Sequence, residues 1–196
     1  MKEKIVLIDG CRTPFLRSET DFLNTMTYEL GQLAIKGLLN NTGVSPNNID
    51  SVIMGCVIST LKTSNLAREA ALTAGIPYST PCHTVSQACI SANRAIATAI
   101  GEIATGQSSV VISGGADSAS ETPIGYKKHM RTKLMKGTKI RSTSQMIKYA
   151  LGFRLKDFLP EVPAIAEYTT ERTMGEDCDI MAVSYTHLTL PTKVEV

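Results

Sequence analysis

Short apolar runs typical of strands alternate with helical patterns through the first 113 residues, and this alternation restricts the fold more than any other feature. The strand candidates lie at residues 4–9, 51–58, 81–85 and 109–113, and the helix candidates at residues 25–39, 66–74 and 90–105. Helices that connect parallel strands of one sheet form right-handed crossovers. The order therefore predicts an α/β fold in which a mostly parallel, mixed sheet carries helices on both faces.

Loops at one edge of this predicted sheet carry several candidate functional residues. Ligands of such sheets bind at the carboxyl ends of the strands. Arg12 follows the first predicted strand, Cys89 follows the third, and Gly114 and Gly115 close the fourth. We therefore expect these residues to lie at the ligand-binding edge.

The pattern changes after Ser120, where a basic and amphipathic stretch begins. Residues 127–156 carry ten of the 20 lysines and arginines and no aspartate or glutamate, although the whole chain has 18 acidic residues. We interpret residues 1–120 as one domain and residues 121–183 as the start of an inserted domain, with a helix at residues 164–174. The positive charge predicts an anionic neighbour, either the phosphates of a ligand, a membrane surface or an acidic partner, although a solvated helix face explains it equally well.

Cysteine usage and composition exclude several classes of protein. Five cysteines, without a C-x-x-C pair or clustered histidines, favour free thiols over a disulfide framework or a zinc site. A hydrophobic content of 43% with a mean hydropathy of +0.02 is typical of a globular, soluble chain. The first residues predict a strand and not a signal peptide, so we expect a cytoplasmic protein. We find no G-x-G-x-x-G fingerprint or Walker loop, and expect no nucleic acid among the partners.

The stretch 85–96 holds the strongest candidate for chemistry, because Cys89 lies at the joint between a predicted strand and a predicted helix. We expect Cys89 in the first turn of that helix, where unpaired backbone N–H groups and the helix dipole favour an anion. The small residues Ala88, Ser91 and Ala92 would let a substrate approach closely. On these local features alone, a buried cysteine that caps a core helix is the commoner explanation.

Four segments, in this order, resemble motifs of the thiolase family: Arg12-Thr13-Pro14-Phe15, Asn65-Leu66-Ala67-Arg68-Glu69, Val85-Ser86-Gln87-Ala88-Cys89 and Gly114-Gly115-Ala116-Asp117-Ser118. Runs at residues 146–159, 163–168 and 174–176 resemble the branch that supplies the β subunit of fatty-acid-oxidation trifunctional complexes. The likeness extends from about residue 4 to Ala182. It implies a layered α/β fold of which this chain carries the N-terminal half, with the insertion as a loop domain.

The resemblance implies a 3-ketoacyl-CoA thiolase in which Cys89 is the nucleophile. The Cys89 thiolate would attack the 3-keto carbon, release acetyl-CoA and hold the shortened acyl group as a thioester until a second CoA removes it. Its backbone N–H would donate to the oxyanion. CoA is then a substrate, and no metal or cofactor is implied. The expected partners are a second copy of the chain as a homodimer and, through residues 127–156, CoA, a membrane surface or an α subunit.

Other parts of the family pattern are not found in this sequence. In the family a second half repeats the fold and supplies a Gly-His-Pro histidine, an Asn-Glu motif and a second cysteine, whereas the histidines here are His83, His129 and His187. His83 precedes Cys89 on an extended run, which at roughly 3.3 Å per residue places it too far away to act as the base unless the chain reverses tightly. Residues 184–196 depart from the pattern, and we expect them to be a non-native tail.

Two other functions stay open at this point. A biosynthetic acetyl-CoA acetyltransferase would use the same Cys89 and differ in its acyl-chain preference. A non-catalytic half that binds acyl-CoA or a membrane would instead work through residues 127–156. If the chain is a thiolase, the absent Gly-His-Pro motif predicts that these 196 residues alone have no measurable turnover.

Overall fold

A computed structural model describes residues 4–161 and 163–184, and the chain divides after Pro123 into two compact units. The first unit contains a three-stranded sheet of β1 (Ser51–Gly55), β2 (Cys82–Val85) and β3 (Val111–Gly115). Their order is β2-β1-β3 and both pairings are parallel. Ile53 of β1 lies opposite His83 on one side and Ser113 on the other. The predicted parallel sheet is confirmed.

Helices cover both faces of this sheet, as predicted. They are α1 (Thr27–Thr42), α2 (Leu66–Thr73) and α3 (Ser91–Ala104). Side chains alternate along a strand, so Val52 and Met54 of β1 join one core cluster with residues of α1 and α2, while Ile53 packs with α3 on the opposite face. All five residues of β1 are buried, which explains the unbroken apolar run. Each such buried aliphatic side chain contributes roughly 1.5–3 kcal/mol to stability.

Local sequence signals set the ends of the helices in this unit. Gly43, with a φ of 67°, ends α1 and donates its N–H to the Leu39 carbonyl. The side chain of Ser45 caps a short 3-10 helix that begins at Pro46. The Asn65 side chain accepts the Arg68 N–H at 3.2 Å and thereby caps α2.

The strand predicted at residues 4–9 is wrong. The structure gives these residues no regular secondary structure, and Ile5, Val6, Leu7 and Ile8 are exposed. An apolar run forms a strand only when its backbone pairs with a neighbour, and in the described part of the chain the sheet ends at β2 and β3. The apolar residues alone do not supply that partner.

The second unit contains three helices and one short antiparallel pair of strands. The helices are α4 (Lys128–Gly137), α5 (Thr143–Ala150) and α6 (Met174–Ser184), and the strands are β4 (Gly125–Tyr126) and β5 (Pro160–Glu161). The helix predicted at residues 164–174 is wrong. The Thr173 hydroxyl and the Glu176 carboxylate cap one another's backbone N–H groups, so the helix starts at Met174. The non-native tail predicted at residues 184–196 lies outside the described residues from position 185 onward.

Candidate active site

Cys89 lies in a tight turn that connects β2 to α3. The Ile90 N–H donates to the Gln87 carbonyl at 3.2 Å, and the Ser91 N–H donates to the Ala88 carbonyl at 3.1 Å. Ala88 has a φ of +46°, in the left-handed region that non-glycine residues rarely adopt. This reversal delays the start of α3 to Ser91, so the prediction that Cys89 occupies the first helical turn is wrong. Cys89 precedes the helix and is exposed to solvent.

Ser91 holds this turn together from inside the protein. Its hydroxyl accepts the Gln87 N–H at 2.8 Å and donates to the Ala88 carbonyl at 2.7 Å. Only 4% of the residue is exposed. The side chain of Ser91 is thus used within the protein, whereas Ala88 and Ala92 are exposed. That these small residues let a substrate approach stays a prediction. A serine at a helix start is the signal that could have revealed the role of Ser91 in the turn.

Two glycines let α3 approach the sheet beside this turn. A Cβ built on Gly55, the last residue of β1, would lie 2.6 Å from the Ala92 nitrogen and overlap the Ser91 backbone. A Cβ on Gly115, the last residue of β3, would lie 2.8 Å from the Gly55 oxygen. Because neither position carries a side chain, the start of α3 packs directly against the carboxyl ends of β1 and β3.

A second cysteine follows the carboxyl end of β1, in a different setting. Cys56 is 4% exposed and its sulfur lies 3.5 Å from an Asp117 carboxylate oxygen. The same oxygen accepts the N–H groups of Val57 at 2.9 Å and Ile58 at 2.7 Å. Burial, followed by the negative charge of Asp117, raises the pKa of the Cys56 thiol to about 11. Sequence reasoning assigned no role to Asp117, which orders the loop after β1.

The expectation for the other loops is partly wrong. Gly114 and Gly115 do not close β3 but belong to it, paired with Met54 and Gly55 of β1. Arg12 lines a cavity of about 290 Å³ together with Asp117, its guanidinium stacked 4.7 Å from the centre of the Phe15 ring. Cys89 is not among the residues that line this cavity. The structure therefore brings Arg12 and the segment after β3 together, without Cys89.

His83 lies within β2 and is only partly exposed. It is therefore part of the strand and not of the Cys89 turn. The prediction that it does not serve as the base of Cys89 stays a prediction.

The basic segment of the second unit surrounds one buried carboxylate. Asp157 receives the Lys133 ammonium at 2.5 Å, the His129 Nε2 at 3.0 Å and the Arg154 N–H at 3.0 Å. The hydrogen bond from Lys133, and then that from Arg154, lowers the pKa of Asp157 to about 2. The carboxylate is therefore ionised at neutral pH and ties α4 to the 3-10 helix at Leu155–Phe158. The other nine lysines and arginines of residues 127–156 are exposed.

Within residues 4–161 and 163–184, no three His, Cys, Asp or Glu side chains converge as metal ligands would. All five cysteines are free thiols. Over the same residues, no helix combines the length and the apolar character needed to cross a membrane.

A family model described as "Thiolase, N-terminal domain" matches residues 5–185, which is nearly the whole chain. The chain belongs to the thiolase family. The motif segments around Arg12, Asn65, Cys89 and Gly114 all lie within the matched range, and the resemblance found in the sequence is confirmed.

Several thiolase relatives are similar over nearly the whole chain. "Trifunctional enzyme subunit beta, mitochondrial" of Bos taurus is 44% identical over 181 residues, which cover 92% of this chain and 38% of the relative. "Probable 3-ketoacyl-CoA thiolase" of Caenorhabditis elegans is 42% identical, covering 92% and 40%. "3-ketoacyl-CoA thiolase" of Yersinia pestis (strain Pestoides F) is 37% identical, covering 93% and 42%. The chain thus spans about two fifths of the length of these relatives.

A solved thiolase-like structure has the same fold. The acetyl-CoA acetyltransferase of Bacillus anthracis matches with a TM-score of 0.63 at 24% identity, over 86% of this chain and 38% of that one. At this identity the match concerns the fold, and it confirms the predicted layered α/β architecture of the thiolases.

Proposed function

We propose that this thiolase chain supplies the nucleophile of a 3-ketoacyl-CoA thiolase, and that Cys89 is that nucleophile. The Cys89 sulfur attacks the 3-keto carbon of the substrate, and the carbonyl electrons move onto oxygen. The oxyanion then collapses, the bond between C2 and C3 breaks, and C2 takes up one proton, which balances the proton that the Cys89 thiol gave up, to leave as acetyl-CoA. The acyl group stays on Cys89 as a thioester until the thiol of a second CoA removes it and restores the free cysteine.

The observation that carries this proposal is the setting of Cys89. It is the exposed cysteine at the carboxyl end of a parallel strand, on a turn whose left-handed Ala88 is held by buried hydrogen bonds. Strained backbone that persists at a ligand-binding edge is typical of functional sites. The names of the relatives support the choice of 3-ketoacyl-CoA as the substrate.

Acyl transfer to Cys89 can be tested on the 196-residue chain itself. We expect incubation with a short 3-ketoacyl-CoA to add one acyl group to Cys89, detected by peptide mass spectrometry, without steady-state formation of acyl-CoA. The turnover is absent because none of the histidines lies in a Gly-His-Pro motif. Cys89→Ser removes the adduct, and Cys56→Ser serves as the matched control that keeps it. An adduct that survives in Cys89→Ser, or no adduct on the wild-type chain, contradicts the proposal. Steady turnover by the wild-type chain contradicts only the expectation that these 196 residues lack turnover.

A biosynthetic acetyl-CoA acetyltransferase is the alternative enzyme. It would form an acetyl adduct on the same Cys89. The acyl group that Cys89 accepts faster, acetyl from acetyl-CoA or a longer acyl from 3-ketoacyl-CoA, distinguishes the two reactions. The proposed homodimer and the cytoplasmic location follow the family resemblance and the sequence, and both stay predictions.

The exposed positive charge of the second unit favours an additional binding role. We propose that Lys127, Lys128 and Arg131 meet an anionic surface, because they are exposed and Arg131 has only a weak ion pair with Glu161 at 3.9 Å. The chain is expected to bind vesicles that contain phosphatidylserine, and to lose that binding as salt rises.

Charge-matched variants test this binding role. Neutralising Lys127, Lys128 and Arg131 to Gln is expected to weaken vesicle binding by more than tenfold, since each basic residue contributes about 1 kcal/mol near such a surface. Lys36→Gln with Lys62→Gln, exposed lysines of the first unit, is the control. Equal loss in both variants, or no binding by the wild-type chain, contradicts membrane contact and favours CoA or an α subunit as the partner.

A further inference from the structure

The turn that carries Cys89 is strained, and one side chain, that of Ser91, forms hydrogen bonds with its backbone. Ala88, the residue before Cys89, has a φ of +46°, which costs energy for any residue with a Cβ. The Ser91 hydroxyl bridges the two residues that enter the turn, since it accepts the Gln87 N–H and donates to the Ala88 carbonyl. One buried hydroxyl thus fixes the backbone on the entry side of Cys89.

Ser91 is itself held from the side of the sheet. A Cβ on Gly55 would overlap the Ser91 backbone, so the end of β1 lies directly against this residue. Within the close-packed interior around Gly55, Ser91 cannot shift without moving the start of α3. Because Ser91 packs against β1, the position of its hydroxyl relative to the sheet is fixed. The hydroxyl in turn fixes the backbone next to Cys89.

The hydroxyl is used to hold the turn and donates its one proton within the protein. Its proton is used by the Ala88 carbonyl and an oxygen lone pair by the Gln87 N–H. With 4% exposure it does not meet a substrate.

We propose that Ser91 is a positioning residue for the reaction of Cys89. The Ser91 hydroxyl keeps Ala88 in its left-handed conformation and thereby fixes the backbone that carries the Cys89 side chain. This inference rests on the proposed function, in which Cys89 is the nucleophile.

The test measures the rate of Cys89 alkylation by iodoacetamide at pH 7 in the full 196-residue chain. In Ser91→Ala we expect this rate to fall about tenfold, the size expected when two hydrogen bonds of ordinary strength are lost. Amide exchange at Gln87 is expected to become faster. Ser91→Thr keeps a hydroxyl and is expected to restore the wild-type rate.

Thr98→Ala is the matched control, because it removes a hydroxyl that bonds only to the Arg94 carbonyl on the same helix. Amide exchange at Ile53, in the centre of the sheet, reports whether each variant is folded. A Ser91→Ala chain with the wild-type rate of Cys89 alkylation overturns the proposal, and so does one that has lost protection at Ile53, because Ser91 is then merely structural. If wild-type Cys89 reacts no faster than the exposed Cys11, the proposed nucleophile itself fails, which is a different result.

Discussion

Cys89 and Cys56 follow the carboxyl ends of two neighbouring parallel strands, β2 and β1, yet the two cysteines differ in their exposure to solvent and in their neighbours. Cys89 is exposed on a strained turn, whereas Cys56 is 4% exposed and lies against the Asp117 carboxylate. Both positions belong to the edge where α/β sheets bind ligands. The difference shows that a cysteine at this edge becomes a candidate nucleophile through its exposure and neighbouring charge, and not through its place in the topology.

The largest expected effect is the ratio of alkylation rates of the two cysteines. With a pKa of about 11, only about one Cys56 thiol in 10⁴ is ionised at pH 7, against a few per cent of an ordinary exposed cysteine. We expect Cys89 to react at least about 100-fold faster than Cys56 with iodoacetamide at pH 7, measured peptide by peptide. Comparable alkylation rates for both cysteines in the folded chain would contradict the expected difference in reactivity between Cys89 and Cys56.

The next effect concerns the close approach of α3 to the sheet. Gly55→Ala forces a Cβ into the Ser91 backbone, and we expect a loss of about 1–3 kcal/mol in the free energy of unfolding, measured with urea. Gly114→Ala is the matched control one strand away, since a Cβ there meets no atom within 4 Å. Equal stability of the two variants would show that the start of α3 is not held against β1.

The smallest effect comes from the charge beside Cys56. Asp117→Asn keeps an oxygen that can accept the Val57 and Ile58 N–H groups but removes the negative charge. The pKa of Cys56 is expected to fall part of the way towards its ordinary value near 9, because burial, the larger cause, remains. We expect a rise of at least about fivefold in Cys56 alkylation at pH 9, because a charge about 4 Å away contributes about 1 kcal/mol even at the dielectric constant of water, and no change at Cys89.

The same variant changes how stability depends on pH. Since the pKa of Cys56 is about 11 in the folded chain and near 9 when unfolded, the unfolded state releases the proton first as pH rises. This contribution to stability is fully present below about pH 9 and is lost between pH 9 and 11. Asp117→Asn should lose less over that interval in urea unfolding. Cys82, whose pKa burial also raises, affects both proteins alike. A steeper alkaline loss in Asp117→Asn contradicts the assigned role of this charge.

The periodicity of apolar residues predicted α1, α2 and α3 and the strands β1, β2 and β3 well, because the apolar pattern of these segments agrees with the way they pack in the structure. In the structure, Gly43 ends α1 and the Asn65 side chain caps α2, and both residue types favour these positions. The strand at residues 4–9 failed because a strand depends on a partner that its own residues do not encode. The helix near residue 164 failed because the capping pair of Thr173 and Glu176 outweighs an apolar pattern.

The sequence by itself determined the parallel α/β layer, the thiolase family and the choice of Cys89 as the candidate nucleophile, because periodicity, turn residues and motif order are all local along the chain. Only the tertiary structure decided that Ser91 is buried and bonded to the Cys89 turn, that Gly55 admits the start of α3, and that Asp117 lies beside Cys56. Cys56 and Asp117 are far apart in sequence. Folding brings the two together, and the burial and charge that this creates separate a buried neutral thiol from an exposed one.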